Sequence, residues 1–367
     1  MKVFIIYIRY FDEINNTPQI GGLQTYIENL CDVITSLGYE TVIYQISTYD
    51  FERLLPNGAR VIGKKCNKRK YYIELVREAE RIADTENDLL LFLTSTLICK
   101  SKFKKTIAIQ HGIYWDINTI HGKKVSFPFD VILRGLQTIS ENNRIRLVKK
   151  LVCVDYNYIN WLRTQITARD INYSVIPNFS DITEKNNREI TDRIKIIYAR
   201  RFADIRGVGL ICDFMPKLLE KYNNIDFTIA GNGERSDIIH QTFDKYMNVT
   251  ITTYSPSESL SFHKQFDIAL VPSIGSEGTS LSLIEAMAAG CAVVSSDIGG
   301  LSNLIIDGFN GRIVRPISED FMQCVLEMIE NKSLIEQYSN NGMSVVINSL
   351  SRKVWEEKWK DIFSEFQ

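Results

Sequence analysis

Residues 272–315 read PSIGSEGTSLSLIEAMAAGCAVVSSDIGGLSNLIIDGFNGRIVR. The apolar run 268–271 just before them has the length of a buried strand, and a loop through Gly278 follows it. An alanine-rich helix is expected over 280–289, stopped by Gly290, a usual helix-ending residue. A second apolar strand is expected over 292–296. Strand, loop, helix and strand in this order make one βαβ turn of a parallel sheet, and ligands of such sheets sit at the carboxyl ends of the strands. Glu277 falls in the loop and Glu285 eight residues on, inside the helix. At about 1.5 Å of rise per residue the two lie on the order of 12 Å apart. Between them the backbone N–H groups of Thr279, Ser280 and Leu281 are orphan donors at a helix start, where the dipole favours an anion. A ligand with hydroxyls at both ends and a diphosphate between suits the spacing. An isolated pair of glutamates eight apart is far more often a first-turn charge and a solvated helix residue, but Leu283, Ile284, Ala286 and Met287 surround Glu285 as on a mostly buried helix.

The strings EGTSLSLIEAMAAG, CAVVSSDIGG and DGFNGRIV resemble the donor-binding core of the retaining GT-B glycosyltransferases grouped as family GT4. The resemblance implies that Glu277 binds donor-sugar hydroxyls and Glu285 holds the ribose. Gly278 and the N–H groups of Thr279, Ser280 and Leu281 would receive the diphosphate.

At 367 residues the chain is too long for one ordinary core and suits two α/β domains. Its longest apolar runs are strand-length, so no transmembrane helix is expected, and its first residues lack a signal peptide's long apolar region. Seven cysteines with no C-x-x-C and four histidines give no metal-site spacing, which fits a cytoplasmic, reducing setting. Residues 1–180 hold 24 Lys and Arg against 18 Asp and Glu, leaving 19 against 26 of the chain's 43 and 44 for the rest. The basic excess lies in 64–70, 100–105 and 144–150. Solvated loops explain such runs, and so would anionic lipid or a diphosphate-linked acceptor. Interleaved aromatics and a nucleic-acid motif are lacking, which argues against nucleic acid as a partner.

A strand over 2–8 leads through a polar loop to Gly21-Gly22 and an amphipathic helix ending at Gly38. A glycine turn between strand and helix lets a phosphate approach the backbone, and is otherwise just a tight turn. In the resembling family a GG loop follows the first strand. A strand over 105–110 ends at His111-Gly112, where the family has a histidine that contacts the donor sugar. Proline and asparagine at 177–178 and the polar run 180–193 mark an interdomain linker.

The second half opens with a strand over 194–199, then Arg200-Arg201 and Arg206-Gly207. The family has an arginine and, five residues later, a lysine that meet the diphosphate; Arg201 and Arg206 hold that spacing. Arginine grips a phosphate bidentately where lysine is a point charge. Arg200 stands where the family often has glycine, which leaves open whether Arg200 or Arg201 points inward. Gly231 and Gly233 follow a strand over 226–230 as the family's G-x-G does. Tyr254 follows a strand over 249–252 in the region of the nucleobase. Asn303 replaces a glutamate common in relatives. The terminal stretch 353–366 reads as an amphipathic helix.

The implied molecule is an α/β protein of GT-B fold, two Rossmann-like domains facing across a cleft. Residues 1–180 would form the acceptor side, 181–351 the nucleotide-sugar side, and a helix over 352–367 would cross back to the first domain. It would move a sugar from a UDP- or GDP-linked donor to an acceptor, such as a glycan or lipid-linked glycan of bacterial surface polysaccharide. Anomeric configuration would be retained, with neither metal nor cofactor. His111, Glu277, Arg201 and Arg206 would serve the chemistry, and Gly21, Gly22, Gly231, Gly233, Tyr254, Gly278, Thr279, Ser280, Leu281 and Glu285 would bind the donor. A sugar-nucleotide epimerase of the same fold, a phosphorylase and a non-catalytic sugar-nucleotide-binding subunit are the alternatives. A peripheral contact with the inner membrane face is a further expectation.

Overall fold

The computed structural model describes residues 1–367 except 13–16, 19–20, 67–69, 116–118, 121–122, 166–170, 183–189 and 276. Lys68 and Arg69 of the basic run, and 183–189 of the expected linker, lie outside the described residues. Two compact units divide the chain. The first holds Met1–His111, Asn118–Ile176 and Glu356–Gln367, the second Gly112–Ile117 and Pro177–Trp355.

In the first unit the chain runs β1 (Lys2–Ile6), α1 (Gly22–Ser36), β2 (Glu40–Ser47), β3 (Phe51–Leu54), β4 (Arg60–Lys65), α2 (Tyr71–Ile82), β5 (Leu89–Phe92) and β6 (Lys105–Gln110). A short ribbon of β7 (Thr119–Ile120) and β8 (Lys123–Lys124) precedes α3 (Phe129–Ile145), β9 (Lys150–Cys153), α4 (Tyr156–Arg163) and β10 (Tyr173–Val175). The sheet order is β10-β9-β6-β5-β1-β2-β4-β3, parallel throughout except for the β3–β4 edge hairpin. Strands such as Leu89–Phe92 are buried at every residue, the pattern of a parallel sheet covered on both faces. The order reverses between β1 and β5, which makes their carboxyl ends this unit's topological switch point.

The second unit runs β11 (Ile194–Ala199), α5 (Val208–Lys221), β12 (Ile225–Ala230), α6 (Ser236–Phe243), β13 (Val249–Thr252), α7 (Ser259–His263), β14 (Ile268–Val271) and α8 (Leu281–Ala288). Then come β15 (Ala292–Ser296), β16 (Arg312–Val314), α9 (Ser318–Glu330), α10 (Lys332–Val345) and α11 (Arg352–Ser364). The six strands are all parallel in the order β13-β12-β11-β14-β15-β16. One face of the sheet packs Ile194, Ile196 and Tyr198 against α5 and α9; the other packs Ile197, Ala199 and Val293 against α8. Here the order reverses between β11 and β14.

The last turns of α11 group with the first unit. Trp359, fully buried, donates from Nε1 to Tyr26 Oη at 3.1 Å, and Lys150 Nζ pairs with Glu365 at 2.8 Å. Fold class and terminal helix agree with the sequence expectation. The change of unit falls between Ile176 and Pro177, a few residues before the expected boundary at 180.

Candidate functional site

The switch point of the second unit gathers charge. Arg200 leaves the end of β11 and Glu277 sits in the loop after β14; they are 9% and 6% exposed. An Arg200 Nη2–Glu277 Oε1 ion pair joins them. Arg200 also donates to Ser273 Oγ at 3.1 Å, Ser280 Oγ at 3.0 Å and Ser282 Oγ at 2.9 Å. Ser273, itself fully buried, donates to the same Glu277 oxygen at 2.6 Å. Arg206 Nη1 forms a second ion pair with that oxygen, without hydrogen-bond geometry. Burial alone would push the Glu277 carboxyl up, but the charges of Arg200 and Arg206 and the Ser273 hydroxyl outweigh it and hold it below the ordinary range.

The sequence reading named Arg201 for the chemistry and left open whether it or Arg200 points inward; in the structure Arg200 does, and Arg201 does not. Its side chain is 71% exposed and lies 3.7 Å from Glu234, itself 60% exposed. The chain leaves the ladder after Ala199 and turns, Ala203 N–H donating to Arg201 C=O at 2.9 Å, so Arg200 takes the inward position and Arg201 the outward one.

Gly231 and Gly233 hold that turn. Both have φ near +150°, and a Cβ on either would come within 2.4 Å of a carbonyl, that of Arg200 or of Phe202. Phe202 N–H donates to Asn232 C=O at 2.7 Å across the same contact. Gly278, Thr279, Ser280 and Leu281 lead into α8 as expected, but the Ser280 side chain accepts from Arg200 and does not cap the helix. Asn178 fixes this entry, its backbone N–H donating to Thr279 Oγ1 at 2.9 Å and its Nδ2 to Thr279 O at 2.5 Å.

Glu285 is partly buried on α8, where its Oε2 accepts from Ser259 Oγ at 2.7 Å. Burial raises its pKa against that hydrogen bond, with the Asp181 charge adding to the rise. Tyr254 stacks on Phe262 with ring centroids 4.7 Å apart; burial, then the Glu285 charge, push its phenol up to about 12. The structure thus brings Glu277, Glu285, Arg206, Tyr254 and the start of α8 to one side of the second sheet.

The remaining expected residues belong to the first unit. His111 follows β6, and its Nε2 lies 2.9 Å from Leu93 O at the end of β5, the switch point of that sheet. A carbonyl only accepts, so Nε2 carries the proton and Nδ1 presents a lone pair. Burial lowers the imidazole's pKa to about 4, opposed by that hydrogen bond. Tyr26 sets the ring edge-on at 5.2 Å, and Trp359 of α11 holds Tyr26 in turn. Gly21 and Gly22 are exposed at the start of α1, Gly21 as its N-cap with no side chain to satisfy the helix donors.

The sequence reading missed Ser273, Ser282, Ser259, Asn178 and the backbone under Glu277. Gly300 N–H donates to Glu277 C=O at 3.0 Å, and a Cβ on Gly299, φ +54°, would come 2.2 Å from that carbonyl. The run of hydroxyl residues from 273 to 282 around a glutamate was the available signal. Among the described residues no group of three His, Cys, Asp or Glu could hold a metal ion.

Residues 180–345 match the family described as glycosyl transferases group 1. That stretch lies within the second unit. An uncharacterized glycosyltransferase of Methanocaldococcus jannaschii is 25% identical over 94% of this chain and 95% of its own length. The phosphatidyl-myo-inositol mannosyltransferase of Mycolicibacterium smegmatis is 26% identical over 45% of this chain and 44% of its own. Among solved structures, S. aureus TarM in complex with Fondaparinux, α-GlcNAc-glycerol and UDP superposes with a TM-score of 0.74 at 13% identity, covering 99% of both chains. The fold is GT-B, as the sequence resemblance implied.

Proposed function

We propose that this glycosyltransferase takes an NDP-sugar at the β11/β14 switch point of its second unit and passes the sugar to an acceptor with retention of configuration. The buried Arg200–Glu277–Arg206 cluster carries the reading. Two guanidiniums beside a helix start supply the positive charge that a leaving diphosphate needs, in a site fixed before the ligand arrives. That supply of charge supports catalysis without a metal or other cofactor. Glu277, held ionised, would accept hydrogen bonds from sugar hydroxyls; Glu285 on α8 would do the same for the ribose, with Tyr254 beside the base. In the first unit His111, neutral with Nδ1 bare, would accept a hydrogen bond from a substrate hydroxyl, and Gly21-Gly22 would let a phosphate approach α1.

In the transfer the bond from the anomeric carbon to the diphosphate oxygen breaks and one to the acceptor oxygen forms. The acceptor proton goes to the departing phosphate on the same face. No residue of the cluster stands as a free nucleophile, since Glu277 is tied to two arginines and Ser273. UDP in the TarM complex favours a UDP-linked donor, and the mannosyltransferase relative favours a lipid-linked acceptor over a soluble one, as in surface glycan assembly.

NMR of the first-formed sugar product from labelled UDP- and GDP-sugars, with water as the minimal acceptor, tests this. Release of one sugar with the donor's anomeric configuration supports it. Inverted product or epimerised donor overturns it.

A further inference from the structure

Helix α3 (Phe129–Ile145) of the first unit does not pack as its sequence pattern would lead one to expect. Its apolar residues Phe129, Ile132, Leu136 and Ile139 fall at i, i+3, i+7 and i+10, one face of a helix. Such a stripe ordinarily turns to the core. Here those four side chains are 55–65% exposed, Phe127 just before them is 82% exposed, and the buried positions of the helix are Glu141 and Ile145. At about 1.5 Å per residue the helix is about 26 Å long, so the stripe is a sizeable apolar patch of a kind that soluble monomers rarely leave uncovered.

The charge around the stripe points to what covers it. Residues 129–149 contain Arg134, Arg144, Arg146 and Lys149 against Asp130 and Glu141. Glu141 is buried and paired with Arg144 at 3.2 Å, and Asp130 is paired with Arg134 at 3.1 Å, so both carboxylates are neutralised within the segment and its net charge is positive. A second copy of the chain on a two-fold axis would set two such basic segments against each other. An anionic bilayer surface pairs with both properties at once, taking the apolar stripe into the acyl boundary and the cations at the headgroups. No helix among the described residues is long and apolar enough to cross a membrane, and one lying in the interface plane need not be.

We propose that α3 is an interfacial helix that seats the first unit on an anionic lipid surface through the Phe129–Ile139 face. This stands on the helix alone and does not depend on the donor-site reading.

The full chain is spun with vesicles of phosphatidylcholine alone, or with about three parts in ten phosphatidylglycerol. Wild type should pellet with the anionic vesicles, and less as salt rises from about 0.1 M to about 0.5 M. Ile132→Ser/Leu136→Ser should lower the partition coefficient at least about tenfold, or about 1.4 kcal/mol. Arg146→Glu/Lys149→Glu keeps the stripe and should abolish the preference for anionic vesicles. Both pairs are surface changes, and an unchanged urea midpoint verifies the fold. Wild type that does not pellet, or an apolar-face variant that pellets like wild type, overturns the proposal. A concentration-dependent dimer in light scattering that the apolar-face variant dissolves assigns the face to a second copy and overturns it too. Nucleotide titration of the same variants separates the readings: vesicle binding with no nucleotide binding sinks the donor site and leaves the lipid surface standing.

Discussion

Arg200→Ala against Arg201→Ala is the comparison that the site geometry makes sharpest. The two residues are neighbours of the same type, yet one side chain is 5% exposed and the other 71%. Removing Arg200 deletes three hydrogen bonds to serines and one of the two guanidiniums on buried Glu277. Breaking a buried ion pair by deleting one partner costs about 3–5 kcal/mol, because the other charge is left in low dielectric. Arg206 and Ser273 remain on Glu277, which puts the expected loss near the lower figure, about 3 kcal/mol. Arg201 pairs with exposed Glu234, a contact worth about 0–1 kcal/mol. With a slope of about 2 kcal/mol/M, urea denaturation followed by circular dichroism should show the transition about 1.5 M lower for Arg200→Ala and moved by no more than about 0.5 M for Arg201→Ala. Equal shifts, or a larger one for Arg201→Ala, would refute the assignment of Arg200 to the interior.

Two further outcomes follow from the pKa directions. His111, with a folded value of about 4 against 6.5 unfolded, should stay neutral on acidification in an NMR titration of its imidazole. Because the unfolded state binds the proton first, its contribution to stability is present above pH 6.5 and is lost as pH falls towards 4; a titration near 6.5 contradicts this. Glu285 has a raised folded pKa, so its ionised form is held at a disadvantage at neutral pH and stability should increase as pH falls through the folded value. Glu285→Gln keeps an acceptor for Ser259 and should leave the urea midpoint unchanged or higher while weakening nucleotide binding, the trade expected of a functional carboxylate. A lower midpoint with unchanged binding would make Glu285 structural.

Much of the second unit was legible because its signals are local and agree. β11, β13, β14 and β15 are the apolar runs expected, and α8 ends before Gly290 as its terminator requires. Arg200 was not legible, since it depends on where strand alternation stops. Ile197 and Ala199 face α8, so continued alternation would send Arg201 there; the turn after Ala199 sends Arg200 instead. Nor does periodicity announce the serines around Glu277, which act through contacts distant in sequence, Arg200 meeting Ser273, Ser280 and Ser282 across 73, 80 and 82 residues. The stripe on α3 is the opposite case. Helical periodicity says that a face is buried against something, and cannot say whether that partner belongs to the chain.

The central claim is that the second unit carries a nucleotide-sugar donor site built on Arg200, Glu277 and Glu285. Calorimetric titration of UDP, GDP and ADP, with chelator present, into wild type, Arg200→Ala, Glu285→Ala and Arg201→Ala tests it most directly. The account predicts binding of one nucleotide at about micromolar Kd, weakened at least about tenfold by the first two substitutions, about 1.4 kcal/mol or more, and little by the third. Binding of none of the three nucleotides, or equal binding by all four proteins, would contradict it.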